Sequence, residues 1–122
     1  MSASDDLFTA SVVLRDDIAI LSIGGGIDFA SAWTFEAVVA NVLAGNVAGL
    51  IIDLAGVTFM ASAGLRVLVL AQEKTACFAV AAPPRVLTRQ IELLGLQKLL
   101  RLCPTVEDAV AALRCSLDSR GA

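Results

Sequence analysis

The chain contains no histidine and no tyrosine, one tryptophan, and only three cysteines and three prolines among its 122 residues. Without histidine, no Ser-His-Asp proton relay can be assembled, so the commonest serine hydrolase chemistry is closed. The cysteines, Cys77, Cys103 and Cys115, form no CxxC pair and are odd in number. With a polar, acidic start (Met1 to Asp6) in place of a secretory leader, they indicate a reduced cytoplasmic protein. Each cysteine then reads as a small buried hydrophobe, with a redox switch involving Cys103 and Cys115 as the alternative. Charge is also scarce, at 17% of residues and a net −3, and no basic stripe is interleaved with aromatics. Nucleic acid is therefore not an expected partner. A partner that is basic, or that is recognised by shape, fits better.

Hydrophobic residues are plentiful at 57%, which excludes disorder and supplies a core for one domain spanning residues 1–122, with its ordered part at about 8–117. Between residues 37 and 65 the single charge is Asp53. This stretch resembles a membrane span only superficially. Asn41, Gly45, Asn46 and Gly49 interrupt it with turn chemistry, and Asp53 inside it would cost about 2.5–3.5 kcal/mol on insertion scales.

Periodicity divides the chain into alternating strands and helices. Residues 8–14 read as a strand with Phe8, Ala10, Val12 and Leu14 on one face. A tight turn at Arg15-Asp16-Asp17 leads to a second strand over 18–23, which Gly24-Gly25-Gly26 ends. A helix starts near Ser31, with Trp33, Ala37, Val38 and Val42 spaced as a buried face, and stops at Gly45-Asn46; the alternative for Trp33 is a partly exposed position on this helix near a partner surface. Residues 50–54 form the central strand, which Asp53 helps to end and which turns through Ala55-Gly56. A helix follows over 64–75, a strand over 77–82, Pro83-Pro84, and a helix over 85–94 closed by Gly95. A short edge strand over 99–102 precedes a last helix, capped by Thr105, that reaches about Leu117 before a fraying tail. This order predicts an α/β domain with a small mixed sheet of about four to five strands and helices mainly on one face. The glycine run lacks the Gly-Lys-Ser/Thr and Gly-x-Gly-x-x-Gly patterns of nucleotide loops, and no cofactor or metal site is expected.

Ser62 falls where the central strand hands over to a helix N-terminus, a place of unpaired backbone N–H groups. It can be a nucleophile, a helix cap or a phosphate acceptor. The nucleophile elbow needs glycine two residues before and after the serine, and Met60 occupies the first position. A Ser-Lys pair with Lys74 or Lys98 has no supporting motif. From the local sequence alone, the cap is the simplest reading.

The wider pattern adds a third possibility. Gly26-Ile27-Asp28, then Asp53-Leu54, Val57, Phe59-Met60, Ser62 and Gly64-Leu65, then the Ile91 to Leu96 element and Pro104-Thr105-Val106-Glu107-Asp108-Ala109 stand in the order and spacing of the STAS family. From about Phe8 to Leu117 the chain resembles the bacterial anti-sigma factor antagonists of that family. The resemblance implies a binding module and not an enzyme. Its partner would be an anti-sigma factor of the histidine-kinase-like ATPase fold, whose serine kinase activity phosphorylates the residue at Ser62 and ends binding, with a serine phosphatase reversing it. The partner surface would comprise Asp28, Ala61, Ser62, Ala63, Gly64, Leu65 and Arg66, with Leu68 beside them. Where the family usually places aspartate and a second serine, this chain has Ala61 and Ala63. The alternative implied is a non-phosphorylated STAS subunit of an ABC-type lipid transport complex.

Overall fold

The structure, a computed structural model, describes residues 7–121; the acidic start read above lies outside them. Five strands and four helices follow one another as β1 (Thr9–Arg15), β2 (Ile18–Ile27), α1 (Phe29–Ala44), β3 (Gly49–Met60), α2 (Ser62–Lys74), β4 (Phe78–Ala81), α3 (Arg85–Leu93), β5 (Leu102–Cys103) and α4 (Val106–Gly121). The sheet has the order β1-β2-β3-β4-β5, with β1 antiparallel to β2 and every other neighbouring pair parallel. Each parallel crossover steps the same way across the sheet. Right-handed crossovers therefore lay α1, α2 and α3 on a single face, and α4 folds back over the other.

Two cores result. Phe35, Leu68, Leu87 and Ile91 of the first three helices pack against Leu21, Leu50, Ile52 and Leu54. Ala109, Val110 and Leu113 of α4 cover Ile18, Ile20, Ile51 and Ala79. The first half of β3 is thus buried on both sides, which is why it reads as a continuous apolar run instead of an alternation. The β1–β2 turn places Asp16 and Asp17 at φ 54° and 70°, the double positive φ of a two-residue hairpin loop. Exposed ion pairs from Arg15 to Glu107 and from Arg114 to Asp16 tie this turn to α4, a minor contribution for surface pairs.

Several sequence expectations are corrected. The glycine run does not end β2, and Ala55-Gly56 does not end β3. The two strands stay paired to Ile27 and Met60, while β4 stops at Ala81 opposite Asp53. Residues 54–60 of β3 and their β2 partners consequently project beyond the rest of the sheet. Gly25 permits this, because it sits at φ +82° with the Leu7 carbonyl where a Cβ would be. Asp53 lies within β3 and supports a register shift: its carboxylate accepts from the Ala55 N–H at 3.0 Å and from the Ser22 hydroxyl at 3.3 Å.

On α1 the buried residues are Ala32, Phe35 and Val39, whereas Trp33 and Ala37 are exposed. Apolar residues occupy most of that helix, so spacing alone did not select the inward stripe. On β1, Val12 and Leu14 are exposed because no helix covers that edge, and only Phe8, just before it, reaches inward, its ring 6.3 Å from that of Phe35. The edge strand lies at Leu102–Cys103 instead of 99–102, and α4 continues past Leu117 to Gly121.

Candidate functional site

The projecting ends of β2 and β3 bring two helix starts together. Ile27 and Met60 are in register, and the Ala61 N–H donates to the Ile27 carbonyl at 2.8 Å. Asp28 directly follows Ile27 and Ser62 follows Met60 by two residues, so both helix starts stand at this tip. Gly64 completes the junction. A Cβ there would meet Met60 Cγ at 2.6 Å and Ile27 Cγ2 at 2.8 Å, so only glycine lets α2 close onto the strand ends. On the far side, the Gln90 side-chain amide donates to the Met60 carbonyl at 3.0 Å, linking α3 to the same corner.

The two helix starts differ in chemistry. Asp28 is the N-cap of α1 and forms a reciprocal capping box with Ser31. Its carboxylate accepts from the Ser31 N–H at 2.8 Å, while its own N–H donates to Ser31 Oγ at 2.9 Å. The Ser31 hydroxyl also lies 2.8 Å from Asp28 Oδ1 and 3.2 Å from the Gly26 carbonyl oxygen. The Ser31 backbone and then its hydroxyl hold the Asp28 carboxyl below its ordinary value of 3.8, so it carries a negative charge at neutral pH. The capping box starts α1 at Phe29, two residues before the expected Ser31.

At α2 the N-cap position belongs to Ala61, which has no group to offer, and the first turn has no acidic residue. Ser62 is the first helical residue and not the cap. It is exposed, and its hydroxyl has no hydrogen-bond partner among the described residues. The reading of Ser62 as the helix cap is thereby corrected. Its N–H and that of Ala63 lie in the first turn, where no intrahelical carbonyl is available.

Of the surface expected from sequence, Asp28, Ser62 and Arg66 are exposed, and Ala61 and Ala63 are half-buried. Gly64, Leu65 and Leu68 are corrected: all three are buried, with Leu65 4% exposed and Leu68 0%, so they seat α2 and present nothing outward. Sequence reasoning missed Phe29, 72% exposed, and favoured the core for Trp33, which is 68% exposed and so takes the alternative reading. The signal available for both was the Asp28-x-x-Ser31 spacing, which fixes the start and rotation of α1. Both aromatics wall a groove of about 270 Å³ between α1 and α2, with Arg66 and Glu36 at its edges.

The cysteines lie elsewhere. Cys77 and Cys103 are buried and Cys115 is exposed, all as free thiols. Burial pushes the Cys103 thiol up, which keeps it protonated at neutral pH. Among the described residues, no group of three or more His, Cys, Asp and Glu could hold a metal ion, and no helix is long and apolar enough to cross a membrane.

Comparison with known proteins places the fold in a family. The STAS domain profile matches residues 9–109. The anti-sigma-F factor antagonist RsfB of Mycobacterium tuberculosis is 40% identical over 117 residues, covering 93% of this chain and 95% of the relative. The crystal structure of an anti-sigma factor antagonist from Mycobacterium paratuberculosis superposes with a TM-score of 0.86 at 36% identity, over 93% of this chain and 99% of that one. The phosphorylated form of the Bacillus cell fate determinant SpoIIAA shares the fold, with a TM-score of 0.65 at 15% identity, over 87% of this chain and 98% of that one. In profile, close relatives and strand order alike, the chain belongs to the STAS domain family.

Proposed function

We propose that the protein is an anti-sigma factor antagonist. In the cytoplasm it would bind a serine-kinase-type anti-sigma factor of the histidine-kinase-like ATPase fold, releasing a sigma factor, and would be switched off by phosphorylation of Ser62. It is a binding module and no enzyme of its own. The observation that carries this reading is the state of Ser62, an exposed, unengaged hydroxyl at the same tip as Asp28, in a chain 40% identical to an anti-sigma-F factor antagonist.

In the modification, Ser62 Oγ attacks the γ-phosphorus of ATP. A new O–P bond forms as the bond to the β-phosphate oxygen breaks, ADP leaves, and the hydroxyl proton passes to a base of the kinase. The product adds about −1.5 to −2 charges at Ser62. The free protein tolerates it, because the uncapped first turn of α2 offers N–H groups and the positive end of the helix dipole. A docked partner would have to desolvate the phosphate, and Asp28 at the same tip adds repulsion. A penalty of about 3–4 kcal/mol weakens binding a few hundredfold, enough for a switch. The Ala61 that replaces the usual aspartate removes one further negative charge from that position. A serine phosphatase would restore the hydroxyl.

The direct test incubates the chain with ATP and each purified serine-kinase-type anti-sigma factor encoded by its source genome. A one-phosphate mass increase that maps to Ser62, absent from Ser62→Ala, supports the switch. Complex formation without any mass change would leave an antagonist that is not controlled at Ser62. Absence of complex with every such factor, together with capture of a transporter ATPase, would replace the reading with that of a transport subunit.

A further inference from the structure

We infer that the groove between α1 and α2 is the second half of the partner interface, with Trp33 as its anchor. It takes a segment of the anti-sigma factor that presents one large apolar side chain flanked by an acid and a base. The inference rests on the antagonist reading above and adds residues to it. Phe29, Trp33 and Glu36 recur at i, i+4 and i+7, so they line one face of α1. Across the groove stand Ala63, Arg66 and Val67 of α2. Ala63 adds only a methyl group to that wall.

Three observations select this occupant. The groove is continuous with the phosphorylation site, since Phe29 follows Asp28 and Ala63 follows Ser62; a partner seated on Ser62 has the groove within its footprint. The aromatic rings are 72% and 68% exposed although buried Ala32 and Phe35 lie on the same helix, so this stretch of α1 serves the core on one side and stays open on the other. Exposed aromatics beside an arginine are the residue types enriched at the centres of protein interfaces. Finally, Glu36 and Arg66 both line the groove, and neither has an ion-pair or hydrogen-bond partner among the described residues. Opposite charges left unpaired at the two walls call for a basic and an acidic group on what docks there.

Trp33 is the single tryptophan of the chain, so its fluorescence reports on the groove alone. The experiment titrates the protein with the anti-sigma factor that phosphorylates or captures it, following emission under selective excitation of Trp33 with a tryptophan-free form of that factor. The expected result is a blue shift with loss of iodide quenching on binding. Trp33→Ala should weaken affinity by about tenfold or more, and Phe29→Ala by less, as for interface anchors. Leu93→Ala, exposed on α3, should leave affinity unchanged and serves as the control. If the wild type binds but Trp33 emission stays put and Trp33→Ala binds equally well, the groove is not part of the interface. If no anti-sigma factor binds the wild type, the antagonist reading itself fails. Sedimentation of the isolated chain provides the remaining arm: a dimer abolished by Trp33→Ala would assign the groove to a second copy and overturn the inference.

Discussion

The starts of α1 and α2 stand at the same end of the sheet, yet one is closed and the other is left open. At α1, Asp28 and Ser31 satisfy each other's backbone groups. At α2, Ala61 offers nothing, Ser62 is unengaged, and the helix is held by burial of Gly64, Leu65 and Leu68 behind it. On the proposed reading, stability and function are thereby separated. The packed part of α2 keeps the helix in place, and under the proposed switch its first residue would be modified without disturbing the fold. A serine that capped its own helix would have coupled phosphorylation to helix stability.

The strongest way to break this comparison is to remove the packing. Leu68→Ala should cost about 2–5 kcal/mol in denaturant unfolding, as for large-to-small changes in a core. Gly64→Ala should cost about 1–3 kcal/mol through overpacking against Met60 and Ile27, and should weaken partner binding by tilting the start of α2. A smaller change in the opposite direction is expected from Ala61→Ser. A cap at the open start should raise stability by about 0.5–1 kcal/mol while engaging the same N–H groups that would receive a phosphate. Ser62→Ala should move stability by no more than about 0.5 kcal/mol, the usual range for a surface change away from a cap. A loss near 2 kcal/mol would mean that the hydroxyl caps the helix after all.

Much of this was legible in the sequence. The mixed sheet, the order of elements, the double aspartate turn and the Thr105 cap follow from hydrophobic period and turn chemistry, and the Thr105 hydroxyl does accept from the Asp108 N–H at 3.0 Å. The position of Ser62 at a strand-to-helix junction was legible as well. The projecting ends of β2 and β3 were not, because glycines and a register shift resemble a turn when the partner strand is unknown. The groove was missed for a different reason. Most residues of α1 are apolar, so hydrophobic period alone does not show that Phe29 and Trp33 are exposed while Ala32 and Phe35 face the core; only the Asp28-x-x-Ser31 spacing carries that signal. Burial of Leu65 and Leu68 likewise could not be told from partner contact, since both readings want leucine.

The closed start carries a pH signature, the smallest effect expected. Asp28 has a depressed carboxyl, so its contribution to stability is complete above its ordinary value of 3.8 and is lost as pH falls through the lower folded value. Amide exchange at Ser31 should accelerate in that acid window. In Asp28→Asn this acid dependence should vanish, whereas amides in the first turn of α2, which no carboxylate caps, should lack it in both proteins.

The central claim is that Ser62 is a switch exposed on a helix start that does not need it. Its most direct measurement is calorimetric titration of the serine-kinase-type anti-sigma factor into the unmodified chain and into the chain phosphorylated at Ser62, with circular dichroism on both forms. The account predicts affinities differing by a few hundredfold at unchanged helix content. Equal affinities, or a loss of binding that accompanies unfolding of α2, would contradict it.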